Sequence, residues 1–480
     1  MRLASRLLLF HLGLAGTVHA QFSNPNFKHV VIIVQENRTP DNLFQGLCAA
    51  PYGACAVPPT SSAPYDIQTS NWRTKTGTIQ PSRVALAGTY DLDHSHPAFN
   101  AMCDMRAGTP PTCRMDGAAG IACLPQTGTT CPKNPQFNYV NNSTGILNPY
   151  LTLATQYGWA NYMFQTNQGP SFPAHQFIFA GTSAPTGLDD TLGIFAADNG
   201  NTSGGCISPS TTHVELITPN LTSPPYGVEN SSIYPCFEHE TMADLVTDWK
   251  YYAASSIGLW TAPDAIQHIC LPSGGKCTGW GTHVVANNPS QVLTDLGSCI
   301  LGGVTWVTPT AVNSDHATQN DGGGPSWVAA IVNAIGTSKC TDIVNQRVLT
   351  YWQDTAIFIT WDDWGGWYDH EPPTILGGVQ GDYQYGFRVP MIVVSAYTGP
   401  GLVDNQRYDF GSLLRFVEHN FGNLGLREGE LGFADSRATT DFSAFFRMNR
   451  RPRKFTIIAA PKSADFFIHD TRPPEAPDND

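Results

Sequence analysis

Three apolar runs end abruptly in residues that can carry chemistry, and this pattern organises the chain. Phe27 to Val34 is rich in β-branched residues and predicts a buried strand. Gln35-Glu36-Asn37-Arg38-Thr39-Pro40 follows it directly. Leu301 to Val307 predicts a second strand, which runs through Pro309 into Asn313-Ser314-Asp315-His316. Thr355 to Ile359 predicts a third, followed by Thr360-Trp361-Asp362-Asp363-Trp364-Gly365-Gly366-Trp367-Tyr368-Asp369-His370. Val389 to Ser395 predicts a further strong strand, and Phe455 to Ala459 a weaker one. Helical spacing predicts helices from near Ala98, over Leu147 to Met163, His239 to Tyr252, Trp327 to Ile335, and Ser412 to Phe421. Strands alternating with helices predict an α/β protein with a mainly parallel sheet.

The segments between these elements are long. Residues 48–88, 103–146 and 184–233 are rich in Pro, Gly, Ser and Thr and read as loop insertions. No linker divides the chain, and no repeat, heptad or Gly-rich phosphate loop is present. One catalytic domain over residues 21–450 is expected, with a tail over 451–480 that is partly disordered. Residues 1–20 read as a secretory signal: Arg2 and Arg6, the apolar stretch Leu7 to Thr17, then Val18-His19-Ala20 before Gln21. The 12 cysteines agree with export, since none forms CxxC and Cys48/Cys55, Cys103/Cys113, Cys123/Cys131 and Cys270/Cys277 are close neighbours in polar loops. Spacing does not fix their pairing; nearest-neighbour bridges are the simplest assumption. Asn201, Asn220 and Asn230 head sequons, whereas a glycan at Asn37 would block whatever the first strand end builds. Secretion, or export to a periplasm, is the expected location.

Charge narrows the partners. The chain has 480 residues, a formal net charge of −13 and only 14% charged residues, which argues against nucleic acid. An anionic substrate remains compatible, because a local cation reverses the field inside a pocket. No stretch after the signal is long and apolar enough to span a bilayer.

Several motifs carry candidate chemistry, each with a plainer alternative. Adjacent carboxylates such as Asp362-Asp363 are costly to bring together unless a cation or proton separates them. At the end of a strand they suggest a divalent metal, though a solvated turn is the alternative. Glu36-Asn37 is a second oxygen-ligand pair at a strand end. Asp91-Leu92-Asp93-His94-Ser95-His96 is dense in imidazole and carboxylate, or else a capped turn with exposed histidines. Ser171 lies in Gly169-Pro170-Ser171-Phe172-Pro173, where the prolines constrain its backbone. It reads as a directed hydroxyl, as a helix N-cap, or as both. Trp361, Trp364, Trp367 and Tyr368 read as core or as an apolar platform beside a site.

Together these segments resemble the phosphoesterase family of bacterial phospholipases C and related acid phosphatases. The resemblance spans about residues 27–425 and rests on Glu36-Asn37-Arg38, Asp91 to His94, Gly169 to Pro173, Ser314-Asp315-His316 and the segment from Asp362-Asp363 to Pro373. It implies an alkaline-phosphatase-like three-layer α/β/α sandwich. It also implies one divalent metal held by Glu36, Asn37, Asp362 and Asp363, with Ser171 as metal-bound nucleophile. Oxygen ligands of this kind suit Mg, Ca or Mn, and can hold Fe. His94 and His316 are the main candidates to protonate the leaving group and clamp the phosphoryl oxygens, with His283 and His370 behind them. Many phospholipase members have Thr at the nucleophile and Asp-Glu at the metal; Ser171 and Asp362-Asp363 look more like the acid-phosphatase branch. Only about sixty residues follow Phe421-Gly422, too few for the added β-domains common in phospholipase members, and a twin-arginine signal is absent. The expected activity is that of a secreted phosphomonoesterase working through a phosphoserine. The alternatives are a phospholipase C acting on lipid headgroups, with transient membrane contact, and a catalytically silent binding protein on a hydrolase scaffold.

Overall fold

The computed structural model describes residues 27–108, 111–197, 203–219, 227–342, 347–374 and 385–473. The expected signal segment, Asn201 and Asn220 lie outside them; Asn230 is described and exposed.

One eight-stranded sheet organises the molecule. In chain order its strands are β1 (His29–Gln35), β2 (Gly158–Met163), β3 (Trp249–Ala253), β4 (Val284–Ala286), β5 (Val304–Val307), β6 (Thr355–Trp361), β7 (Met391–Val394) and β8 (Leu402–Tyr408). They lie in the order β4-β3-β5-β1-β6-β7-β2-β8. β7 runs antiparallel to both of its neighbours and the other pairings are parallel. Every residue of β6 is buried, as are six of seven in β1. Strand side chains alternate between faces, so burial at every position requires a covering layer on both. Helices supply the layers: Asn148–Gln156, Gln291–Gly297, Gly324–Thr337 and Ala464–Ile468 form one connected group, and Ser171–Ala180 and Phe410–Asn420 pack together in another. The fold is thus α/β with a mainly parallel central sheet, as the apolar runs predict.

Two predicted helices prove to be helix and strand in succession. Within His239 to Tyr252, Thr241 and Asp244 form a reciprocal cap on the one-turn helix Met242–Leu245. The aromatic run Trp249 to Ala253 then becomes β3, because bulky aromatics pack well on a pleated surface. Leu147 to Met163 splits likewise into helix Asn148–Gln156 and β2, which opens at Gly158. Phe455 to Ala459 forms no strand. Ile458 instead exchanges backbone hydrogen bonds with the Asn333 side chain, at 2.8 and 2.9 Å, and is buried. The tail continues to helix Ala464–Ile468, where Phe467 packs on Trp327.

The insertions carry small sheets and disulfides. All four nearest-neighbour pairs are bridged, Cys48–Cys55, Cys103–Cys113, Cys123–Cys131 and Cys270–Cys277, together with Cys206–Cys236 and Cys299–Cys340. A second apolar cluster, including Trp72, Phe99, Trp364 and Trp367, fixes the first two insertions against the loop after β6.

Candidate active site

The register of β1 on β6 sets the geometry. Gln35 lies opposite Trp361, so Glu36 and Asp362 leave the sheet side by side at the carboxyl ends of neighbouring parallel strands. Asp362 N donates to Gln35 O at 2.9 Å, and Asn37 N donates to Asp362 Oδ1 at 3.0 Å. Asn37 takes a left-handed backbone, φ 62°, which Asn tolerates better than most residues. Gly365, φ 60°, lets the doublet loop approach: a Cβ there would stand 2.3 Å from Asn37 O. Gly366 serves the same end, since its Cβ would stand 2.4 Å from Leu92 Cβ, just before His94. These contacts bring three loops, distant in sequence, onto one point.

Ser171 is the first residue of the fully buried helix Ser171–Ala180, with Pro170 in the cap position. Its side chain therefore does not cap the helix. Instead Oγ donates to Asp363 Oδ2 at 3.3 Å, while Gly365 N donates to Asp363 Oδ1 at 2.7 Å. The loop before the helix is held by Gln165 and Asn167, whose amides both donate to Gly169 O.

His94 lies in the same place. Its Nδ1–H donates to Leu92 O at 2.7 Å, which leaves Nε2 to accept from Asn37 Nδ2 at 2.8 Å. That bond orients the Asn37 amide. Asp363 Oδ2 is 3.9 Å from the same Nε2. His316, after β5, places its ring 6.2 Å from that of His94. Its Nδ1 donates to Ala317 O at 2.7 Å and has Asp91 Oδ2 at 3.6 Å.

His283 and His370 do not join this group. His283 precedes edge strand β4, at the amino-terminal end of the parallel strands, where Nδ1 bonds Trp249 O and the ring stacks on Trp249. His370 belongs to a separate buried ion network. Its Nδ1 is 2.8 Å from Asp41 Oδ2 and its Nε2 is 3.4 Å from Asp66 Oδ1. Arg388 reaches Asp369 from two nitrogens at 3.0 Å and also contacts Asp66 and Asp41. Despite burial, these carboxylates push His370 up to about 10. The loop turns at Gly365-Gly366, and this sends Asp369-His370 away from the doublet.

Trp361, Trp364, Trp367 and Tyr368 are all buried. They are core and offer no apolar platform.

Sequence reading missed His175. It stands four residues after Ser171, hence on the same helix face, and that spacing was the available signal. Its Nε2 lies 3.3 Å from Glu36 Oε1 and 3.7 Å from Asp362 Oδ2. Burial drives the imidazole down to about 4, against the pull of Asp362, so it is neutral at pH 7.

Glu36, His175 and Asp362 each present a ligand atom within 4.8 Å of the others. All are fully or almost fully buried, as is Asp363. Among the described residues, Asp362 Oδ2 and both ring nitrogens of His175 have no hydrogen-bond partner. Three carboxylates buried at one point, with the orphaned Asp362 oxygen among them, carry a large desolvation cost unless a cation is present. The donor set therefore fits a divalent metal ion. Asp41, Asp369 and His370 also converge, but Arg388 already compensates their charge.

Comparison with known proteins identifies the family. Residues 27–424 match the model of the Phosphoesterase family, and the chain belongs to that family. Phospholipase C A of Mycobacterium tuberculosis is 23% identical over 83% of this chain and 73% of its own length. Phospholipase C B of the same organism is 23% identical over 87% and 78%. A solved structure from Vibrio parahaemolyticus, described as a protein in the alkaline phosphatase superfamily, aligns with 62% of this chain and 65% of its own at a TM-score of 0.31 and 9% identity. The protein is a hydrolase acting on phosphoric ester bonds.

Proposed function

We propose that this protein is an exported phosphomonoesterase that works through a phosphoserine at Ser171. The observation that carries the reading is the Ser171 hydroxyl at the start of a buried helix, 3.3 Å from Asp363 and beside the carboxylate cluster. Ser171 Oγ attacks phosphorus as its proton passes to Asp363 Oδ2. The positive end of the dipole at the helix amino terminus favours the phosphoryl oxygens. The P–O bond to the alcohol breaks, and the departing oxygen takes a proton from His316, whose imidazolium Asp91 stabilises. Water then cleaves the phosphoserine and returns the free hydroxyl. His94 acts through Asn37 as a positioning residue. Glu36, Asp362 and their neighbours would hold a divalent ion, which would neutralise the charge of the phosphate.

The relatives named phospholipase C favour a second reading, a phosphodiester of a lipid headgroup as substrate. Burial of the four aromatics near the doublet removes one source of a lipid-facing surface, and this supports the small monoester. No helix among the described residues is long and apolar enough to cross a membrane. Six disulfides support folding in an oxidising compartment.

Rapid-quench turnover of p-nitrophenyl phosphate, with intact-mass detection, tests the reading. A burst of p-nitrophenol equal to the enzyme concentration, with one phosphoryl adduct on Ser171, is expected. Faster hydrolysis of phosphatidylcholine than of any monoester would overturn the monoesterase assignment.

A further inference from the structure

The ligand set expected from the sequence is entirely oxygen: Glu36, Asn37, Asp362, Asp363 and Ser171. The folded chain adds a nitrogen. His175 comes one helical turn after Ser171 and projects between Glu36 and Asp362. Two explanations compete for an imidazole so placed. A protonated ring bridging two carboxylates makes short charge-assisted bonds, about 2.7–2.9 Å long. Here the separations are 3.3 and 3.7 Å, and neither ring nitrogen forms a hydrogen bond among the described residues. Those separations suit atoms that share an ion instead. Donors at about 2.1 Å from one cation lie about 3.0 Å apart at right angles and about 3.4 Å apart at the tetrahedral angle. The ring is sealed from solvent and lies 6.5 Å from the Trp260 ring, centroid to centroid, with the planes 23° apart.

We propose that His175 Nε2 is a ligand of the catalytic cation, which makes the site a mixed nitrogen–oxygen centre. An imidazole ligand favours transition ions, whereas an all-oxygen shell suits Mg and Ca. The site therefore selects the Fe, Co and Zn class over Mg and Ca. This inference rests on the metal-site reading above and deepens it.

The test uses the whole cation-stripped protein and His175→Gln, each titrated separately with Co²⁺, Zn²⁺ and Mg²⁺. Wild type is expected to bind one Co²⁺ or Zn²⁺ at least tenfold more tightly than Mg²⁺. His175→Gln is expected to lose at least tenfold in Co²⁺ and Zn²⁺ affinity while Mg²⁺ affinity stays within threefold. Wild type loaded with Co²⁺ provides a check that needs no variant. Its proton spectrum is expected to show one strongly contact-shifted, exchangeable imidazole N–H, from His175 Nδ1. One-to-one Co²⁺ binding without that resonance, or an equal loss for all three cations in the variant, would overturn the His175 assignment alone. Wild type that binds none of the three would remove the metal-site reading beneath it.

Discussion

Asp362→Asn is expected to move stability and activity in opposite directions. Asp362 Oδ1 accepts from Asn37 N at 3.0 Å, and an Asn oxygen keeps that bond. The other oxygen has no hydrogen-bond partner among the described residues, and the Asn nitrogen in its place becomes a donor facing Glu36 Oε1 and His175 Nε2. Glu36 and Asp362 present charged oxygens within 4.8 Å of each other in a buried space. At that separation and an effective dielectric of about 20, two unit charges repel by about 3.5 kcal/mol. Relaxation and water entry reduce this, so about 1–3 kcal/mol of gain in the cation-free protein is expected, the scale seen when buried charges are replaced. Urea unfolding in chelator is the assay. The order should reverse when cation is added, because wild type gains about 4.1 kcal/mol at a free cation concentration of about 1,000 Kd and the variant gains much less. Turnover of p-nitrophenyl phosphate should fall at least ~10²-fold, as for loss of a preorganised electrostatic partner. A variant less stable than wild type in chelator, together with wild-type stability that ignores added cations, would refute the charge argument.

Other outcomes follow from the same contacts. Ser171→Ala should abolish the burst and the phosphoryl adduct while lowering stability by about 1.5–3 kcal/mol, the scale of the hydrogen bond that Oγ donates to the Asp363 carboxylate; intact mass and urea unfolding check both. Gly365→Ala forces a Cβ to 2.3 Å from Asn37 O at φ 60° and should cost at least about 2 kcal/mol in unfolding free energy, with a matching loss of cation affinity. His370 is raised from 6.5 to about 10, so its contribution to stability is complete below pH 6.5 and lost as pH climbs through about 10. His370→Gln should flatten the decline of stability across that alkaline window; an unchanged slope would contradict the network.

Strands β1, β5, β6 and β7 were legible because β-branched apolar runs have few other uses; the short β4 and the polar edge strand β8 carry no such run, and the run Phe455 to Ala459 forms no strand. The ends of β1 and β6 could be marked as chemical because Glu36-Asn37 and Asp362-Asp363 follow them without a spacer. Element type failed at Trp249 to Ala253 and Gly158 to Met163, where aromatics suit a helix face and a pleated sheet equally well. The close-neighbour disulfides were the simplest assumption because short loops limit the reach of each cysteine. Cys206–Cys236 and Cys299–Cys340 join positions 30 and 41 residues apart, and spacing gave no handle on them.

By itself the chain determined which segments are apolar, where each such run stops, and which acids, amides and hydroxyl stand at those stops. Only the tertiary structure decided which histidines meet them. A local pattern records how a residue relates to its own strand or helix, whereas Gln35 opposite Trp361, or Gly365 against Asn37, is a contact between distant segments. For that reason His283 and His370 carry the right chemistry in the wrong place. His175 needed only a helix register and a neighbouring strand to reach Glu36 and Asp362.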